Sequence, residues 1–155
     1  MRDSANRELL TVLSMLIRCH ASRKVLSCGQ RMMGNLSMYS PALLDHFHNP
    51  RNAGDLPEAD IRVKSENPVC GDVLELAMQV SDGRITSTRF RVQGCVPAVA
   101  CASALTELMS GKSLDEAKTL GREEVLRAVN GVPPASTHAV ELALDALRQA
   151  LKAFE

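Results

Sequence analysis

CGDVLELAMQVSDGRITSTRFRVQGC, residues 70–95, reads as a β-hairpin with a cysteine at each open end. Leu74, Leu76, Met78 and Val80 alternate with Val73, Glu75, Ala77 and Gln79, the period of two expected of a strand that buries one face. Asp82-Gly83 follows, and these residue types tolerate the positive φ that a tight two-residue hairpin turn demands. Pairing Ser81 with Arg84 then carries Cys70 directly across from Cys95. Facing residues on paired strands stand about 4.5–5.5 Å apart, and two thiolates on one tetrahedral metal are roughly 4 Å apart. Ile85 is out of phase with Phe90 and Val92, so a bulge near Thr86 to Thr88 would shift that register by one residue.

Asp72 lies two residues after Cys70, and a sharp bend at Gly71 would turn its carboxylate toward the same rim. Cys70, Asp72 and Cys95 would then form a cluster of two sulfurs and one oxygen. The competing reading is that both cysteines are small buried hydrophobes, a common fate of free cysteine. After Cys95 the sequence PAVACASALTELMSG has the composition of a helix, with Pro97 in its first turn and Gly111 past its end. Cys95 therefore sits at a helix N-terminus, where the positive dipole end favours a thiolate. Cys101 falls on the apolar face with Ala98, Ala102, Leu105 and Met109, and six helical residues separate it from Cys95 by roughly 9 Å. That places it in the core.

The chain has 155 residues, enough for one domain with a core that needs no staples. Three Phe, one Tyr and no Trp make base-stacking platforms improbable, so no nucleic-acid partner is expected. Residues 1–37 hold six Lys and Arg against two Asp and Glu, and residues 38–155 hold twelve against sixteen. An odd set of five cysteines suits reduced thiols and a cytoplasmic protein better than a disulfide framework. The run RELLTVLSMLIRCH has an apolar core far short of the roughly 20 residues needed to span a bilayer, so no membrane partner is expected. Residues 1–37 read as an N-terminal extension, optional or poorly ordered, with room for one helix. An organelle transit peptide fits poorly with Asp3 and Glu8, and the organised pattern starts at Met38.

From Met38, Ser40 is a natural N-cap with Pro41 at the first helical position, and Asn49-Pro50-Arg51-Asn52 ends that helix. His46 and His48 read as surface or helix-end residues. Ile61 to Lys64 supplies a short strand before the Asn67-Pro68 turn. Beyond the cysteines, Ser113 to Glu116 is a capping box, a short helix runs from Arg122 to Asn130, and Val132-Pro133-Pro134 is a stiff connector. Ser136 or Thr137 caps a last helix with apolar residues at Val140, Ala143, Leu144, Leu147, Leu151 and Phe154, and His138 lies in its first turn. The expected fold is α+β: a three-stranded antiparallel sheet packed against several helices. Nothing in the spacing itself brings His138 to the hairpin.

From Met38 to Phe154 the sequence resembles the IscU/NifU-type iron-sulfur cluster assembly scaffolds. The resemblance rests on Tyr39-Ser40 with Asp45-His46, Asn49-Pro50-Arg51-Asn52, Cys70-Gly71-Asp72, Gly94-Cys95, Gly111 through Glu116, and Pro133-Pro134 ahead of His138, all in order. It implies a scaffold domain over residues 38–155 and cluster ligands at one tip. It also implies a transient [2Fe-2S] cluster, or a zinc or iron ion, held by Cys70, Asp72, Cys95 and His138. The implied partners are a cysteine desulfurase, an Hsp70-type chaperone system and recipient iron-sulfur apoproteins.

Two departures stand out. The family's third cysteine directly follows the histidine, and Ala139 occupies that position here. The chaperone-recognition segment, Leu-Pro-Pro-Val-Lys in typical members, reads Val132-Pro133-Pro134-Ala135-Ser136. The alternative to a scaffold is therefore a degenerate zinc-binding paralogue that modulates the assembly machinery. A thiol-dependent hydrolase would need an oxyanion motif that the sequence does not display, so no enzymatic activity is expected.

Overall fold

The structure, a computed structural model, describes residues 38–155. The helix-like run in the extension, with Cys19, His20 and Cys28, lies outside the described residues. The first helix, α1 (Pro41–His48), begins as its sequence demands: the Ser40 hydroxyl accepts the Leu43 amide proton at 3.1 Å, and Pro41 occupies the first turn. The same hydroxyl donates to the Val129 carbonyl, which ties the start of α1 to a segment 89 residues away.

Three strands follow, β1 (Ile61–Glu66), β2 (Val73–Ser81) and β3 (Arg84–Gln93), in the antiparallel order β1-β2-β3. β1 runs two residues further than its sequence pattern suggests. Asp82 and Gly83 adopt φ of 51° and 72°, so the hairpin turn forms where expected. Val80 faces Ile85 but Gln79 faces Ser87, leaving Thr86 as the extra residue of a bulge. This bulge brings Ile85 into phase with Phe90 and Val92, and all three turn to the core. The Thr86 hydroxyl donates to the Gln79 carbonyl at 3.2 Å across the irregularity. The strands stop at Val73 and Gln93, so Cys70 and Cys95 sit on loops beyond the ladder and are not a facing pair.

Leu74, Leu76 and Met78 of β2 are buried with Phe90 of β3 against two helices, α2 (Val96–Met109) and the last helix, α5 (Thr137–Lys152). α2 is buried on more than the single face its periodicity suggests, because Ala100 and Ala104 meet Leu43 and Val129 on the side away from the sheet. Its alanines permit that close approach on both sides. α3 (Leu114–Lys118) opens with the capping box, Glu116 N–H on the Ser113 hydroxyl at 3.2 Å and Ser113 N–H on the Glu116 carboxylate at 2.7 Å. α4 (Arg122–Ala128) and a single 3-10 turn (Pro134–Ser136) lead into α5. Phe154 departs from expectation: α5 ends at Lys152, and Phe154 lies beyond it, exposed.

The Asn49 to Asn52 segment does more than end α1. Asn52 carbonyl accepts the Phe90 amide proton at 3.1 Å and Phe90 carbonyl accepts from Gly54 at 2.9 Å, so this strap covers the outer edge of β3. His46 corrects another expectation. It is buried, 7% exposed, with Nδ1 2.9 Å from the Ser103 hydroxyl on α2, whereas His48 stays exposed. Ser103 also accepts the Arg51 amide proton at 2.8 Å. One hydroxyl thus clamps both α1 and the strap onto α2.

Candidate metal centre

The loop joining β1 to β2 closes on itself. Asn67 N–H donates to the Asp72 carbonyl at 2.9 Å, Gly71 N–H donates to the Asn67 carbonyl at 2.8 Å, and the Asn67 side chain accepts from Val69 N–H at 2.9 Å. Gly71 takes a φ of 72°, a left-handed conformation that suits glycine. The loop leaves Cys70 exposed at the tip and turns Asp72 inward to 6% exposure.

Just past the end of β3, Gly94 makes room for that carboxylate. A Cβ on Gly94 would stand 2.7 Å from Asp72 Cγ, closer than side-chain carbons approach. Cys95 comes next, as the N-cap of α2, and its carbonyl accepts from Ala98 and Val99 at 3.0 and 3.2 Å. His138 arrives from a third direction, in the first turn of α5. One ligand atom from each of Cys70, Asp72 and His138 lies within 4.8 Å of the others. That spacing is within small side-chain rotations of the distances around a tetrahedral ion.

Cys95 is outside this trio but beside it. Burial pushes its thiol up to about 11, the Asp72 carboxylate adds to the rise, and the Ala98 amide proton pulls the other way. The expected helix-terminus effect is therefore present but outweighed, and metal-free Cys95 is a thiol. Proximity to Asp72 and Cys70 still places it to join as a fourth donor. Asp72 Oδ2 is buried and has no hydrogen-bond partner among the described residues. A buried carboxylate oxygen without a partner costs about 1–3 kcal/mol, and a cation bridging it to the neighbouring sulfurs and imidazole would relieve that cost. The residues fit a thiophilic ion or cluster.

Cys101 lies in the core as expected, fully buried, with burial driving its thiol up to about 12. Ala139 is 1% exposed and packs in the same core cluster, against which Cys95 also packs, and its methyl group brings no donor atom. Sequence reasoning missed the role of Gly94, for which the adjacent Gly94-Cys95 pair was the only local sign.

The model of the NifU-like N terminal domain matches residues 38–155. The chain belongs to this family. Among curated relatives, it is 42% identical over 114 residues to iron-sulfur cluster assembly scaffold protein IscU 1 of Archaeoglobus fulgidus, covering 74% of each chain. It is 38% identical over 121 residues to the IscU scaffold protein of Escherichia coli, covering 76% of this chain and 94% of that one. The N-terminal NifU-like protein of Brucella abortus shares the family fold, with a TM-score of 0.64 at 19% identity over 76% of this chain and 94% of that chain. The family's three-stranded sheet and helices are those described above.

Proposed function

We propose that this protein is an iron-sulfur cluster assembly scaffold, whose cargo is iron, zinc or a transient [2Fe-2S] cluster held by Cys70, Asp72, Cys95 and His138. The observation that carries the reading is the convergence of three ligand-type side chains from separate segments, with Cys95 alongside and one carboxylate oxygen unpartnered. The scaffold names of the two IscU relatives point the same way. Thiolates suit iron-sulfur clusters and zinc, while the carboxylate and imidazole make the donor set less uniformly soft than four sulfurs. A mixed set favours release, which a scaffold requires. The protein's role is to hold and hand over its cargo, not to turn over a substrate.

A cysteine desulfurase as sulfur source, an Hsp70-type chaperone system and recipient apoproteins are the partners that fit this role, in a cytoplasmic setting that keeps the tip thiols reduced. Ser136 in place of the family's lysine weakens the case for the chaperone system. The alternative of a degenerate zinc-binding paralogue is not favoured, because the relatives over the same domain carry scaffold names. Anaerobic reconstitution with iron and sulfide tests the proposal. Visible cluster absorption should form on the wild-type protein and be abolished in Cys70→Ser and in Cys95→Ser; absorption unchanged in both variants would refute it.

A further inference from the structure

The outer face of the sheet, away from α2 and α5, carries an unusual arrangement. The strand register sets Arg62, Ala77 and Arg89 in one row across the three strands, and Lys64, Glu75 and Arg91 in the next. Ala77 is 6% exposed although it faces outward, because its methyl group is the floor of a hollow of about 260 Å³ enclosed by its larger neighbours. Asp55, at the end of the strap, arches over this floor. Its two carboxylate oxygens lie 2.6 Å from Arg62 and 3.4 Å from Arg91. Arg89 is fixed from beneath, donating to the Asn52 side chain at 3.2 Å and to the Thr88 carbonyl at 2.9 Å.

We propose that this hollow is a docking site for a protein partner presenting a cluster of carboxylates. Charge segregation is the first support. Residues 38–155 carry more acids than bases, yet four of their twelve Lys and Arg residues line this one hollow against two acids, Asp55 and Glu75. A basic face on an otherwise acidic body steers and orients an acidic partner. The lining also weighs against nucleic acid. No aromatic side chain lines the hollow for base stacking. Spaced carboxylates can pair with Lys64 and Arg89 and exchange with Asp55 for the two arginines it holds.

Position gives the surface its use. Glu75 is three residues along β2 from Asp72, about 10 Å at the rise of a strand. A partner seated in the hollow would lie close, along the strand, to the loop that carries the exposed Cys70. The site stands independently of whether the tip carries a cluster, and its test involves no metal.

Two-dimensional amide NMR of the full chain, titrated with a synthetic octaglutamate peptide, reads the site directly. Saturable shifts should concentrate on Arg62, Lys64, Glu75, Ala77, Arg89 and Arg91. The double variant Lys64→Glu/Arg91→Glu should weaken binding roughly tenfold or more, by removing two attractions and adding two repulsions. Ala77→Leu, which fills the floor without altering charge, should also weaken it and serves if the double variant does not fold. Shifts scattered over other cations such as Arg122 and Arg148, affinity indifferent to both variants, or no binding would overturn the proposal. Inorganic phosphate or a single-stranded DNA oligomer giving the same pattern at equal affinity would also overturn it, marking a general anion site.

Discussion

Gly94 and Asp72 sit so close that a single added methyl group on Gly94 would lie 2.7 Å from the Asp72 carboxyl carbon. Gly94 does not adopt the left-handed backbone of Gly71, so its need for glycine is one of space alone. Gly94→Ala should therefore push Asp72 away from Cys70 and His138 while leaving the backbone unstrained. We expect zinc affinity to fall by about tenfold or more, as when a supporting contact of a metal ligand is lost, with roughly 1–3 kcal/mol of overpacking cost in the metal-free protein. Competition with a chromophoric chelator measures the first, and urea unfolding the second. Wild-type affinity in Gly94→Ala would show that Asp72 does not need its observed place.

Asp72 itself should show a trade between folding and binding. Its Oδ2 is buried without a partner, so Asp72→Ala is expected to stabilise the metal-free protein by about 1–3 kcal/mol while weakening zinc. The same carboxylate helps hold the Cys95 thiol at about 11. In Asp72→Asn the thiolate fraction of Cys95 at pH 8 should rise, and alkylation of Cys95 by iodoacetamide, followed by mass mapping, should be faster than in the wild type. An unchanged alkylation rate would separate the two residues electrostatically.

His46 predicts a pH dependence of stability. Desolvation lowers its pKa below 6.5, with the Arg51 guanidinium adding to the fall and the Glu107 and Asp45 carboxylates opposing it. The folded protein therefore prefers the neutral ring, while the unfolded chain takes up the proton near 6.5. Stability from this group is present above that pH and is lost as pH falls through it toward the lower folded value. Urea unfolding at pH 7.5 and 5.5 should show the loss, and His46→Gln should reduce the difference. Ser103→Ala, which strips partners from both His46 and the Arg51 amide, should cost about 1–3 kcal/mol at pH 7.5.

Ala139→Cys should leave the cluster yield of anaerobic reconstitution unchanged. The proposed site already has four donors, and the side chain at this position is enclosed among core residues, so an added sulfur costs roughly 1 kcal/mol or more of overpacking. A large gain in cluster absorption would show instead that the natural site is crippled and that the helix start can turn to present a thiolate.

Much of this molecule was legible without coordinates, wherever the governing physics is local. Alternation in β2, the Asp82-Gly83 turn, the Ser40 and Ser113 caps and the phase slip that foretold the Thr86 bulge all depend on residues within a few positions of one another. So do Cys70, Gly71 and Asp72, and the placing of Cys95 at a helix start. Local rules failed where a property sums contributions from distant segments. The dipole end at α2 argued for a Cys95 thiolate, but the burial and the Asp72 carboxylate that reverse this come from the surrounding fold and from the far side of the hairpin. His46 looked like a surface residue because nothing near it in sequence announces Ser103.

The sequence by itself determined the number and order of the strands, the turn, the helix starts and which side chains are chemically able to hold a metal, because backbone preference and side-chain type are written residue by residue. Only the tertiary structure decided that His138 meets Cys70 and Asp72, that Ala139 is buried, and that Arg62, Ala77 and Arg89 share one row. The row follows from the strand register, and the other two from how α5 packs on the sheet. Burial of apolar surface fixes that packing, and it belongs to the whole fold and to no single stretch of it.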